Sequence, residues 1–97
     1  MYYVYVLLSE QDNNFYIGFS ENIKQRLDEH NAGKNASTRL RRPFRFIYCE
    51  GHTSKSDALR RETYFKTSKG KTTLKQILRE ALLSDEPKHP HMVIMDD

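Results

Sequence analysis

Residues 2–8, YYVYVLL, form an aromatic and β-branched run that suits a pleated, half-buried surface and reads as a strand. The polar stretch Ser9 to Asn14 follows, carrying the turn-forming Asp12, Asn13 and Asn14. A second strand then runs from Phe15 to Phe19, so the chain opens with a β-hairpin. Both hairpin faces need cover, and in so short a chain only helices can supply it. That requirement predicts an α+β sandwich.

Ser20 is a good N-cap for a helix reaching about Ala32, with Gly33 as its stop. Residues 34–43 are polar and basic, end at Pro43, and read as a surface loop. Phe44 to Cys49 is a third strand, and Gly51 to Lys55 turns the chain. Ser54 or Ser56 caps a helix from about Asp57 to Thr67. Gly70 separates it from a last helix, Thr72 to Leu83, with Leu74, Ile77, Leu78, Ala81 and Leu82 as a helical stripe. The expected fold class is α+β: a three-stranded antiparallel sheet flanked by three helices in the order β-β-α-β-α-α. Residues 1–83 make one domain, and residues 84–97, with Pro87 and Pro90, are expected to form a loose C-terminal tail.

The chain has 97 residues, 37% hydrophobic and 30% charged, which is a globular balance for a single domain rather than a disordered one. Its longest apolar stretch, Val4 to Leu8, is strand-sized, so no membrane partner is expected. The start lacks the basic and apolar regions of a secretory signal, and the single Cys49 leaves no disulfide framework. A cytoplasmic location is the expectation. Net charge is +3, but through Leu83 there are 15 Lys/Arg against 9 Asp/Glu, giving +6. Arg39, Arg41, Arg42 and Arg45 put four arginines into seven residues. Such a face favours a polyanion, of which nucleic acid is the commonest, although a basic pI is ordinary for a small protein.

Polar residues fall within the apolar stripes. Ile23 and Leu27 define the inward face of the first helix, and Arg26 and His30, four apart, project from one side of it. In the second helix Glu62 lies four after Ala58 and three before Phe65. Charged groups are costly to bury unpaired, so three of them need a reason. One account is a structural Arg26–Glu62 salt bridge with His30 hydrogen-bonded at the rim. The other is a polar pocket beside the sheet. In the hairpin Tyr3 and Tyr5 share one face, and Tyr16 and Gly18 share a face of the second strand. A glycine inside a strand weakens it unless something approaches the backbone closely.

In this order the residues resemble the GIY-YIG nuclease family, and most closely its small stand-alone members. Tyr3-Val4-Tyr5 stands where the family has Gly-Ile-Tyr, and Tyr16-Ile17-Gly18 matches the second triplet. The run Ser20 to His30 is similar to the following helix, and Ala58 to Glu62 with Tyr64-Phe65-Lys66 to the segment bearing the family's metal-binding glutamate. The similarity spans roughly residues 2–83. Two departures stand out: Tyr3 replaces the first glycine, and no asparagine follows Asn35, where many members have one late in the domain.

The resemblance implies a metal-dependent endonuclease with Tyr5, Tyr16, Arg26, His30 and Glu62 in its catalytic site. Glu62 would hold one divalent cation, Mg²⁺ or Mn²⁺, and Arg26 would hold the phosphate. Tyr5 would receive the proton of water, its pKa lowered by Arg26 and the metal. Tyr16 would orient water or phosphate, and His30 would relay the proton or act as the base itself. Arg39, Arg41, Arg42 and Arg45, assisted by Arg60, Arg61 and Lys66, would hold the nucleic acid, DNA being the expected partner. Phosphate contacts hold nucleic acid without reading its sequence, so structure-selective or weakly selective cleavage is expected. The alternative is a binding domain that keeps the fold without turnover. A further reading makes Met92 to Met95 a docking segment for a protein partner; a metal site at His89 and His91 is not expected.

Overall fold

The computed structural model describes residues 1–83 and the backbone of His91–Met95. The antiparallel core is the expected one. Strand β1, Tyr2–Ser9, pairs with β2, Phe15–Ser20, on one side and with β3, Phe44–His52, on the other. A fourth strand, β4, His91–Met95, pairs parallel with β3 and completes the order β2-β1-β3-β4. Part of the expected loose tail is thus a strand. Its run His-Met-Val-Ile-Met is apolar enough to continue a sheet edge, and the flanking prolines hid that signal. Residues 84–90, including His89 and the two prolines, lie outside the described residues.

β1 is paired along both edges and covered on both faces, by the second and third helices on one and by the first helix on the other, and Val4, Val6 and Leu7 are fully buried. Val4, Val6 and Leu8 join Ile17, Ile47, Phe65, Leu74 and Leu78 on one face of the sheet. Tyr5 and Leu7 join Phe44 on the opposite face, under Ile23 and Leu27 of α1, Ile23–Asn31. Helices α2, Lys55–Phe65, and α3, Ser68–Ile77, contribute Ala58, Phe65 and Leu74 to the first face. The short α4, Arg79–Leu83, extends α3, with the Leu82 amide donating to the Leu78 carbonyl at 2.9 Å.

Several boundaries move for local reasons. Asn22, not Ser20, caps α1, accepting from the Gln25 amide at 3.1 Å, while Ser20 Oγ braces the turn before it. Ser54, one of the two expected caps, accepts from the Asp57 amide, and α2 starts at Lys55, two residues before the expected Asp57. Gly70 lies inside α3 rather than between helices. A Cβ there would sit 1.9 Å from the Tyr64 carbonyl oxygen, so its absence lets α2 and α3 approach. Ile77 is 44% exposed and drops out of the expected stripe. β3 continues past Cys49 because its polar continuation, Glu50 and His52, is buried against Arg61 of α2.

Candidate active site

The register of the hairpin sets the site. Tyr5 pairs with Gly18, and the Tyr5 ring lies across that glycine: a Cβ on Gly18 would be 2.3 Å from both the phenol oxygen and Cζ. The missing side chain is the close approach that the strand glycine implied. From there the Tyr5 hydroxyl reaches Nε2 of His30, the last inward residue of α1, at 3.0 Å. His30 is fully buried, and its Nδ1 lies 2.9 Å from Thr38 Oγ1. Thr38 donates its one proton to the Asn35 carbonyl at 3.4 Å. With that proton so placed, Thr38 accepts from His30 Nδ1–H and Nε2 is left to accept from Tyr5.

Tyr16 closes the aromatic cluster, its ring centroid 4.8 Å from that of His30 and 6.3 Å from those of Tyr5 and Phe44. It is half-buried where Tyr5 is buried. Burial raises the Tyr5 pKa most, and Tyr16 adds to the rise; Arg26 acts against it, and Glu62 and Glu29 support it. The phenol is thus held well above its ordinary value, because loss of solvation outweighs the single guanidinium. The His30 pKa moves down, first through burial and then through Arg26. At neutral pH the pair therefore rests as phenol and neutral imidazole.

Arg26 lies on α1 and Glu62 on α2, and the charges of both act on the Tyr5 phenol, as does that of Glu29. The simple Arg26–Glu62 bridge does not form. Arg26 has only a long contact to Glu29, 3.9 Å, with its side chain 43% exposed, and Glu62 pairs with Lys66 at 3.3 Å. Glu62 is 18% exposed. Among the described residues no three His, Cys, Asp or Glu side chains gather as a metal site. A lone carboxylate still suits Mg²⁺, which keeps most of its waters and takes further oxygen ligands from substrate phosphate. Glu62 fits that part.

The basic residues divide. Arg39 and Arg42 are exposed, with Arg42 Nε donating to the Arg39 carbonyl at 2.8 Å and its guanidinium lying over Gly33. Arg41 is occupied: it pairs with Asp12 at 2.6 Å, donates to the Asn14 and Phe15 carbonyls, and covers the Phe44 ring. Asp12 is correspondingly pulled down to about 2, chiefly by its bond from Arg41. Arg45 pairs across the strands with Leu8, on the face away from Tyr5, and its buried Nε has no hydrogen-bond partner among the described residues. Arg61 binds the fully buried Glu50 through Nε and Nη2 at 2.9 Å and stacks 4.2 Å from the Phe65 ring centroid. Arg41 and Arg61 are thus held by the fold. Arg60, 75% exposed, carries an Asp57 contact, and Lys66 remains at the Glu62 rim.

Two groups escaped the sequence reading. Thr38, in a run of small polar residues, carries no pattern that marks it as the partner of His30. Glu50, with Tyr48 at 2.9 Å and His52 at 3.2 Å, forms the buried network around Arg61. Its placement on the same strand face as Val4 was readable only once the pairing was known.

Fold and cluster together define a small α+β domain in which two strand tyrosines meet a buried helical histidine. The GIY-YIG catalytic domain matches residues 1–75, and the chain belongs to the GIY-YIG family. It is 43% identical over 77 residues to a UPF0213 protein of Staphylococcus haemolyticus, covering 78% of this chain and 93% of that one. A UPF0213 protein of Lactiplantibacillus plantarum is 46% identical over 79 residues, covering 78% of this chain and 77% of the relative. The solution NMR structure of a UPF0213 protein from Bacillus halodurans superposes with a TM-score of 0.51 at 33% identity, covering 79% of this chain and 85% of that one.

Proposed function

We propose that this domain is a metal-dependent endonuclease that hydrolyses phosphodiester bonds in DNA with structural or weak selectivity. The carrying observation is the chain of hydrogen bonds from Tyr5 through His30 to Thr38. Hydrolysis needs an activated water, stabilisation of charge on phosphorus, and help for the leaving alkoxide. His30 is fully buried with both ring nitrogens engaged, so it meets water only through Tyr5. As the oxygen of water bonds to phosphorus, its proton passes to the Tyr5 oxygen while the Tyr5 proton passes to His30 Nε2. The P–O bond to the leaving oxygen breaks in the same displacement, and the departing alkoxide takes a proton from solvent water while His30 later returns its own to solvent through Tyr5. The imidazolium so formed is held by Thr38 on its other side. Arg26, half-exposed and weakly paired, is free to bond the phosphate through two N–H groups. Glu62 is the residue that would hold the divalent cation, which would supply positive charge to the phosphoryl oxygens. Tyr16, half-buried beside His30, orients the water or the phosphate.

The second reading, a nucleic-acid-binding domain without turnover, is favoured by the Lys66 contact that occupies the Glu62 carboxylate and by the missing late asparagine. The assay that separates them is cleavage of nicked, branched and single-stranded DNA with Mg²⁺, Mn²⁺ or EDTA. Cutting that requires metal and is lost in Glu62→Ala and Arg26→Ala, with DNA still bound by Glu62→Ala, supports the enzyme. Binding without metal-dependent cutting supports the alternative. We place the protein in a reducing cytoplasm, since its single cysteine offers no disulfide framework.

A further inference from the structure

On the sheet face opposite Tyr5 lies a groove of about 860 Å³ between the α3–α4 arm and the β1–β2 turn. One wall carries Lys71, Lys75 and Arg79, spaced four residues apart. Four residues of helix rise about 6 Å, so Lys71 and Lys75 of α3 stand on the scale of neighbouring phosphates in a strand, and Arg79 opens α4 just beyond the break at Leu78. The opposite wall carries the Arg41–Asp12 pair. A row of exposed lysines on a helix is usually just a solvated face. Here the row lines a concavity, and the only carboxylate lining it among the described residues, Asp12, is already neutralised by Arg41. Lys71 and Lys75 have no acidic partner among the described residues. Arg79 touches Glu80 at 3.5 Å, but both are about four-fifths exposed, so the contact neutralises little.

Leu8 and Phe15, a register pair, lie at the bottom of this groove, on the face that packs α2 and α3. Tyr16, the next residue, points to the other face, into the cluster with His30. Groove and site are therefore back to back across one hairpin. A single straight duplex does not follow both faces; a nucleic acid with two arms does.

We infer that Lys71, Lys75 and Arg79 form a second nucleic-acid contact, which takes the phosphate backbone of a second arm while the first lies on the Tyr5 face. The inference rests on the DNA-nuclease reading and deepens it, naming branched DNA as the favoured substrate. Backbone contacts of this kind add affinity in proportion to the phosphates neutralised, and each steepens the salt dependence of binding by about 0.7 to 0.9 in log–log slope.

The test is DNA binding by the whole chain in EDTA, measured by fluorescence anisotropy across a salt series, on a branched DNA and on a single strand of about ten nucleotides, a length within the site size of one small domain. Lys71→Ala/Lys75→Ala/Arg79→Ala is compared with the charge-matched Lys24→Ala/Lys55→Ala/Lys69→Ala, each taking the net charge from +3 to 0. The groove variant is expected to lower the slope on branched DNA by about 2 to 3 and on the short strand by less than about 1, with the control making no such distinction. Equal effects of the two variants on branched DNA, or no binding of either DNA by the parent chain, would overturn the inference. Failure of the parent chain to cut any DNA with metal, with the groove effect intact, would instead remove the enzyme reading alone.

Discussion

The Tyr5 ring rests on the bare backbone of Gly18, with no room for even a methyl group between them. The second triplet thus has a mechanical meaning: its glycine is the seat on which the first triplet's tyrosine turns toward His30. Gly18→Ala should push the phenol off His30. Overpacking of this kind costs about 1 to 3 kcal/mol, so a lower urea midpoint and loss of most cleavage are expected together. A variant with parental stability and cleavage would show that the seat is not needed.

The buried imidazole makes stability depend on pH in a definite direction. The His30 pKa in the folded state lies below its ordinary 6.5, so the unfolded chain binds the proton more readily. Its contribution is fully present above pH 6.5 and declines as pH falls from there toward the lower folded value. His30→Gln removes this titration. The stability difference between parent and variant, from urea melts, should shrink as pH drops from 7.5 to 5, about the window in which a depressed histidine titrates. A constant difference would contradict neutral burial of His30.

Arg61 and Glu50 should matter to folding rather than to DNA. Burial by itself would raise the Glu50 pKa, but the Arg61 hydrogen bonds, with those of Tyr48 and His52, outweigh it and hold the carboxyl below its usual value. Removing one member of a buried pair leaves the other uncompensated, so Arg61→Ala should cost about 3 kcal/mol. The joint replacement Glu50→Gln/Arg61→Met should recover much of that loss. Thermal melts of the three proteins decide it, and a fully stable Arg61→Ala would return Arg61 to the DNA surface.

Arg42 and Arg41, adjacent in sequence, should behave differently. Arg42→Ala, at an exposed guanidinium, should reduce the salt slope of DNA binding by about 0.7 to 0.9. Arg41→Ala should instead loosen the β1–β2 turn, which it ties through Asp12 and the Asn14 and Phe15 carbonyls, visible as faster amide exchange there. Equal changes in salt slope would contradict the division.

Much of this arrangement was legible in the sequence because its signals are local. The hairpin shows in aromatic and β-branched runs around an Asp-Asn-Asn turn, and Gly18 stands out as a strand glycine. Arg26 and His30 are one helical turn apart, so their shared side follows from periodicity alone. What escaped depends on tertiary pairing. Glu50 and Arg61 neutralise each other across β3 and α2, and an inward carboxylate breaks the apolar alternation by which strand ends are read. Arg41 looked like its three neighbours until Asp12 was seen to hold it. β4 was hidden because a parallel edge strand forms only against a partner, here 43 residues upstream, where His91 pairs with Tyr48.

The central claim is that Tyr5 passes a proton between water and His30 during phosphodiester hydrolysis. Tyr5→Phe keeps the ring over Gly18 and removes only the oxygen, so single-turnover cleavage of a branched DNA in Mg²⁺ by parent and variant tests the claim most directly. Positioned proton transfer contributes about 10²- to 10⁴-fold, so a loss in that range, with DNA affinity unchanged, is the expected result. Cleavage by Tyr5→Phe at the parental rate would contradict it.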